Sequence, residues 1–344
     1  MNALLLQFEA MQRETRDQVF DSVYIGGGTP TVIGTDLLLK VIKGVFEHFT
    51  LHENTEFTIE ANPGTVDSLA LSLYRKAGVN RISFGVQTAN DRLLARIGRI
   101  HSYEETIAAV LAAREAGFEN ISADLMYALP TQTTEDLYKS IRAIAVLQVE
   151  HISMYGLKVE ENTPFGRDRT LILPDEDVQC EMYLEGVKLL KSLGYEQYEI
   201  SNFSKQGYES RHNLKYWQRV PYLGCGCAAH SFWNNNRFSA PSSINDFLVC
   251  SDFSLKSSFY KGEQIEEEEA RKEELMLSLR TAKGLKLSRL YEICALEKER
   301  DRFEKYVNLL SEKGYAQVAD GVFSLTPEGM LVSNEIIGEL LWFE

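Results

Sequence analysis

The chain has 344 residues, of which 44% are hydrophobic and 25% charged. That length exceeds one small core and suggests two domains, or one large barrel with an appendage, in a soluble globular protein. A net charge of -14 argues against broad nucleic-acid binding, and no apolar run approaches the roughly eighteen residues of a membrane span, so an integral membrane protein is not expected.

In chain order, Met1 to Arg16 is a short amphipathic stretch with acidic residues and an apolar stripe of Leu4, Leu5, Phe8 and Met11. It does not read as a signal peptide. Short β-rich runs then recur at Ser22–Ile25, Glu56–Glu60, Arg81–Val86, Ile121–Met126, His151–Leu157 and Gln197–Ile200. Helically spaced apolar residues lie between them. Leu37, Leu38, Val41, Ile42, Val45 and Phe46 make one stripe; Leu69, Leu73 and Ala77 make another, ended by Gly78. Thr106–Ala116 and Leu137–Leu147 supply two more. Strands alternating with helices at this spacing imply a parallel sheet with right-handed crossovers, and about six such units curve into an open α/β barrel.

The unusual residues sit just past the strands: Gly26-Gly27-Gly28-Thr29-Pro30, Glu60-Ala61-Asn62-Pro63-Gly64, Gly85-Val86-Gln87, and Asp124 with Leu129-Pro130. Any one of them alone reads as a turn built from Gly, Pro and Asn. Four at the same end of successive strands favour a ligand site, because the carboxyl ends share one face. A triple glycine lets backbone N–H groups approach a carboxylate or amine closely. Glu60 and Asp124 offer acceptors for ribose hydroxyls or an ammonium group, and Gln87 and Arg99 can read polar or charged groups. The pattern lacks the third spaced glycine of a dinucleotide fingerprint.

Further on, His212-Asn213-Leu214-Lys215-Tyr216-Trp217 joins a histidine to two aromatic residues. On composition alone His212 reads as a hydrogen-bonded loop residue; the functional alternative is an axial haem ligand, with Tyr216 and Trp217 as flat apolar surface. Cys225, Cys227 and His230 have a spacing compatible with a metal such as zinc, but a closed site needs a fourth ligand. The two cysteines read better as small hydrophobes. The five cysteines are unevenly spaced, which disfavours a secreted disulfide framework and points to a cytoplasmic location.

Composition shifts after about residue 250. The acidic run from Glu266 to Glu269 opens a helix, and apolar spacing marks further helical segments at Leu275–Leu279, Leu287–Leu296 and Phe303–Leu310. Ala316–Val318 and Val322–Leu325 read as a hairpin around Asp320-Gly321, and Thr326-Pro327 starts a final helix. Helices with a hairpin resemble a winged helix, but 18 acidic residues against 11 basic ones from Glu263 onward do not make a DNA-reading face. A lid or partner-docking role is expected instead. The expected division is 1–210, 211–262 and 263–344.

The motifs Gly26–Pro30, Glu60–Pro63, Gly85-Val86-Gln87-Thr88, Arg96-Ile97-Gly98-Arg99 with His101, and Asp124 through Pro130, in this order, resemble the coproporphyrinogen III dehydrogenase-like (HemN) branch of the radical-SAM superfamily. The resemblance covers nearly the whole chain, and the C-terminal part is similar to the HemN-type C-terminal domain. It implies a partial parallel (β/α) barrel of the radical-SAM type and an S-adenosylmethionine pocket lined by Gly27, Gly28, Thr29, Glu60, Gln87, Arg99 and Asp124. The His212–Trp217 motif resembles the HNxxYW motif of the haem chaperones (HemW type) of that branch. This implies haem bound with His212, Tyr216 and Trp217 involved, and passed to an acceptor such as a membrane respiratory protein.

One departure stands out. The family carries Cys-x3-Cys-x2-Cys for a [4Fe–4S] cluster in the loop after its first strand, and no three cysteines here have that spacing. Met1 falls inside what corresponds to the family's first helix. Two readings stand, a start codon placed too late or a truncated remnant, and the undecayed pattern favours the first. Without its first strand the barrel is expected to expose a strand edge and to be poorly stable alone. Without cluster thiolates, reductive cleavage to 5′-deoxyadenosine is not expected, and whether the chain is an enzyme stays open. The alternatives are an oxygen-independent coproporphyrinogen III oxidase-like enzyme and a non-enzymatic nucleoside-binding barrel.

Overall fold

The computed structural model describes residues 1–168, 170–294 and 300–341. The chain opens with α1 (Asn2–Glu14), which buries Ala3, Gln7, Phe8 and Met11 on one face. A run of βα units follows: β1 (Phe20–Ile25), α2 (Thr35–His48), β2 (Leu51–Ala61), α3 (Ser68–Lys76), β3 (Arg81–Gln87), α4 (Asp91–Arg96), α5 (Tyr103–Glu115), β4 (Asn120–Tyr127), α6 (Thr134–Val146) and β5 (His151–Gly156). Strands β1 to β5 pair in sequence order and all in parallel. Local chemistry sets where the helices begin. Asp67 caps α3 through the Ala70 N–H, and Ser102 with Glu105 and Thr133 with Asp136 form capping boxes on α5 and α6.

Two sequence expectations shift. The stripe Leu69, Leu73, Ala77 is not the buried face of α3: Leu69 is 69% exposed, while Ala70, Leu71 and Tyr74 are buried. The much larger Tyr74 ring takes the core position and rotates the helix accordingly. The run Gln197–Ile200 does not continue the parallel series. After α7 (Pro164–Arg167) and α8 (Glu176–Ser192), β6 (Glu196–Glu199) turns back at once into β7 (Asn202–Ser204). That turn leaves room only for a hairpin, so β7 pairs antiparallel with β5 and β6 lies outside it. The seven-stranded sheet therefore has the order β1-β2-β3-β4-β5-β7-β6, with β1 at one edge.

The faces of this sheet differ. Phe57, Ile59, Ile82, Phe84, Val86, Ile121, Leu125, Ile152 and Met154 are buried in one apolar core that also takes the buried faces of α2, α3, α5, α6 and α8. The alternate residues on the same strands are mostly polar, among them Thr58, Glu60, Arg81, Ser83, Ser122 and Asp124, and turn to the opposite face, as period-2 alternation requires.

The segment expected to connect two domains has structure of its own. After α9 (Arg211–Trp217) come β8 (His230–Trp233), β9 (Asn236–Ser239), α10 (Ile244–Val249) and β10 (Lys261–Gln264), and the three strands form an antiparallel sheet. The rest is α11 (Glu267–Ser278), β11 (Leu285–Lys286), α12 (Leu287–Cys294), α13 (Arg300–Glu312), β12 (Ala316–Ala319), β13 (Val322–Leu325), α14 (Pro327–Leu331) and α15 (Ser333–Leu341). The last residues of the expected helix Leu287–Leu296 lie outside the described residues. Asp320 and Gly321 both have positive φ, as a tight hairpin turn requires, and Thr326 caps α14 through the Gly329 N–H. These elements enclose a separate core around Leu275, Leu290, Phe303, Phe323 and Leu340.

They dock onto the barrel through main-chain bonds from Ile200 N–H to the Arg280 carbonyl (2.9 Å) and from Ala282 N–H to the Tyr198 carbonyl (3.0 Å). Glu273 of α11 also receives Arg219 and Arg237. Among the described residues no helix is long and apolar enough to cross a membrane.

Candidate functional site

Two places on the barrel gather the residues singled out from the sequence. The first is the carboxyl end of β1 to β5. The chain leaves β1 through Gly26, Gly27 and Gly28, the last two with φ of 83° and 65°. A Cβ on Gly26 would lie 2.8 Å from the Glu60 carboxylate, so only glycine lets the loop pass β2 so closely. Glu60 holds that loop: its Oε2 accepts the Gly27 N–H at 3.0 Å, and its Oε1 accepts the Tyr24 hydroxyl at 2.7 Å. Arg99 donates from Nη1 to Asn62 Oδ1 at 2.9 Å, and Asn62 Nδ2 donates to Thr29 Oγ1 at 3.0 Å. Gln87 is buried with φ of 68°, unusual for a residue with a side chain, and its Oε1 accepts the Tyr155 hydroxyl at 3.4 Å.

Asp124 accepts Ser83 Oγ–H at 3.2 Å. Burial, then the nearby Glu60 charge, pushes its carboxyl up to about 6, against the hydrogen bonds from Ser83 and Ser153. Gly27, Thr29, Glu60, Gln87, Arg99 and Asp124 thus meet at one end of the sheet, while the space around Gly28 is open. Sequence reasoning missed Asn62 as the link between Arg99 and Thr29. It also missed Tyr24, Ser83, Ser153 and Tyr155, and Arg81, whose charge acts on Tyr24, Asp124, His151 and His212. The available signal was the polar residue at every second strand position.

The second place is the free edge of β1. A cavity of ≈ 980 Å³ runs along it, walled by Phe8 of α1, Leu38, Val41 and Val45 of α2, His212 and Tyr216 of α9, and Tyr222, His230 and Trp233 beyond. Its size is at the top of the range for small-molecule pockets, about 300–1,000 Å³. Helix α9 is fixed here at its start: Ser210 caps it, and the buried Glu56 of β2 accepts the N–H groups of Arg211 (3.0 Å) and His212 (2.9 Å). The His212 ring stacks on Tyr24 with centroids 5.1 Å apart and planes 22° apart. Its Nδ1 lies 3.0 Å from Ser22 Oγ and its Nε2 2.8 Å from Tyr216 Oη. Burial first, then Lys215 and Arg81, lowers its pKa to about 4 against the pull of Glu56, so the imidazole is neutral at pH 7. Trp217, expected beside His212, does not wall this cavity; Trp233 does. On a helix, position 217 falls about 100° from 216 and faces elsewhere.

The remaining thiols are dispersed. Cys225 Sγ lies 3.4 Å from Met11 Sδ and is pushed up to about 12 by burial, while Cys227 Sγ–H meets the carbonyls of Pro241 and Ser242. Among the described residues no three His, Cys, Asp or Glu side chains gather as metal ligands. The donors present therefore do not fit a [4Fe–4S] cluster, which needs three thiolates converging.

Residues 5–144 match the family model of the Radical SAM superfamily, and residues 265–332 that of the HemN C-terminal domain. The chain is 35% identical to Heme chaperone HemW of Bacillus subtilis (strain 168), over 99% of this chain and 90% of that protein. It is 32% identical to Heme chaperone HemW of Lactococcus lactis subsp. lactis, over 99% and 89%. It is 41% identical to Heme chaperone HemW of Escherichia coli (strain K12), over 61% and 55%. Among solved structures, coproporphyrinogen III oxidase (HemN) of Escherichia coli, a radical SAM enzyme, superposes with a TM-score of 0.83 over 100% of this chain and 82% of that one, at 21% identity. That likeness is one of fold.

Proposed function

The chain belongs to the HemW haem-chaperone family, and we propose that it takes up haem at His212 and hands it to an acceptor protein. The observation that carries this reading is a neutral imidazole, oriented by Ser22, Tyr24 and Glu56, on the wall of a large, mostly apolar cavity. Haem is the cargo. A neutral histidine nitrogen is a common iron ligand, and aromatic walls such as Tyr222 and Trp233 suit a flat macrocycle. Lys215, paired with Asp21 at 2.8 Å on the same wall, supplies a cation within reach of a propionate.

The strand-end pocket fits a second, smaller ligand of the S-adenosylmethionine type. Gly27, Gly28 and Thr29 form its loop, Arg99 suits a carboxylate, and Glu60, Gln87 and Asp124 offer polar contacts. When bound, S-adenosylmethionine would bring a sulfonium and an adenosyl group to this end of the sheet. No step through an iron–sulfur cluster is derived, because the described thiols do not converge.

Titration of the chain with haem, followed by its Soret band, tests the reading. Saturable binding that weakens at least tenfold in His212→Ala is the expected outcome. Saturable binding that His212→Ala leaves unchanged would remove His212 from the site, and an absence of saturable binding would sink the chaperone reading.

A further inference from the structure

We propose that Tyr216 is an internal competitor for His212: its hydroxyl occupies the ring nitrogen that would meet haem iron, and it must leave for uptake and return on release. This rests on the haem reading above and adds how that site loads and empties.

The argument starts from the two ring nitrogens. Nδ1 is engaged by Ser22 Oγ at 3.0 Å and Nε2 by Tyr216 Oη at 2.8 Å, so whichever tautomer is present, neither nitrogen is free. The two contacts differ in what it takes to break them. Ser22 belongs to β1, paired with Glu56 of β2, and the imidazole lies flat on Tyr24 of the same strand. Turning the ring to present Nδ1 would undo both the stack and the strand-side bond. Tyr216 is 41% exposed and sits four residues after His212, one helical turn on and on the same face. Its ring meets Tyr222 edge-on, with centroids 4.6 Å apart and planes at 90°. Tyr222 is itself held by paired main-chain bonds with Phe232 of 2.8 and 3.0 Å.

A rotation of the Tyr216 side chain therefore frees Nε2 while everything else around the imidazole stays in place. The displaced phenol finds water at the surface, so the loss is small. The same economy operates in reverse. When iron departs, the Tyr216 hydroxyl closes on Nε2 and blocks rebinding. A carrier that must give up its cargo gains from such a built-in competitor, whereas a storage site would not.

The test compares the full chain with Tyr216→Phe, which keeps the ring against Tyr222 and removes only the hydroxyl, and with His212→Ala. Haemin titration gives affinity, apomyoglobin as scavenger gives the release rate, and imidazole ¹⁵N NMR of the haem-free protein reports the Nε2 hydrogen bond. Tyr216→Phe is expected to shift the His212 Nε2 resonance and to bind haemin about three- to tenfold tighter, the net worth of one hydrogen bond, with the gain in faster uptake and the release rate unchanged, because Nε2 is then open before iron arrives. Unchanged or weaker binding by Tyr216→Phe, with His212→Ala still losing affinity, overturns the competitor while leaving the haem reading intact. Haemin binding unaffected by His212→Ala overturns both.

Discussion

At the strand ends, several strands deliver side chains that bind one another: Glu60 holds Tyr24 and Gly27, Asn62 joins Arg99 to Thr29, and Asp124 meets Ser83. Along the β1 edge, one seven-residue helix carries His212 and Tyr216; Glu56 and the capping Ser210 hold its start, and Lys215 ties it to Asp21 of β1. In the first region, separate hydrogen-bonded groups tie the loops and neighbouring strands together at the strand ends. In the second, His212 is held by Ser22, Tyr24 and Glu56, while the Tyr216 side chain that closes on it is exposed. Preorganisation in the first suits holding a polar ligand in one pose. An exposed tyrosine over a fixed histidine in the second suits a cargo that has to come and go.

Removing each region's anchor should show the largest effects, and in opposite places. Glu60→Ala leaves the Tyr24 hydroxyl and Gly27 N–H without their charged acceptor. It is expected to cost about 3 kcal/mol in urea unfolding, from hydrogen bonds to a charged group worth ~1.5–3 kcal/mol each, less the relief of its repulsion with Asp124. Calorimetry should then show S-adenosylmethionine binding lost and haem binding kept. Glu56→Ala is expected to cost less, about 2 kcal/mol, because the α9 N–H groups can turn to water. Here haem binding should fall and S-adenosylmethionine binding persist. If the two variants damage both ligands equally, the regions are one cooperative unit and the contrast fails.

A smaller effect separates them by pH. Asp124 has its folded pKa raised to about 6, so between roughly pH 4 and 6 the folded state binds more protons than the unfolded one, and stability falls as pH rises. His212 has its folded pKa lowered to about 4, so between about 4 and 6.5 the unfolded state binds more protons, and stability falls as pH drops. Glu199, raised to about 7 by burial, tilts the whole chain in the same direction as Asp124. The observable is therefore the difference between variants. Relative to the parent chain, Asp124→Asn should make the pH 4–6 stability slope more positive and His212→Gln should make it more negative. Parallel shifts in the two variants would show that neither group is isolated from water as described.

Local signals carried much of this into view before any tertiary contact. The Thr326 cap, the Asp320-Gly321 turn and the alternating strand-helix rhythm are written in neighbouring residues, and β1 to β5 appear where the periodicity puts them. The gathering of Gly27, Glu60, Gln87 and Asp124 followed from one rule, that parallel strands present their carboxyl ends together; Arg99 reaches them from the loop after α4. Asn62 escaped notice because its role lies in contacts with Thr29 and Arg99, residues 33 and 37 positions away, which no local pattern encodes.

The parallel α/β architecture, the polar strand ends and the histidine-aromatic motif were legible from residue order, because periodicity, capping and turn chemistry act over a few residues. Only the packed chain shows that β7 folds back antiparallel beside β5, that Trp233 lines the cavity that His212 also lines, and that Tyr216 closes on the histidine nitrogen. Those outcomes depend on which surfaces compete for the same space and which donors reach the same lone pair, and that competition exists only once distant segments have packed.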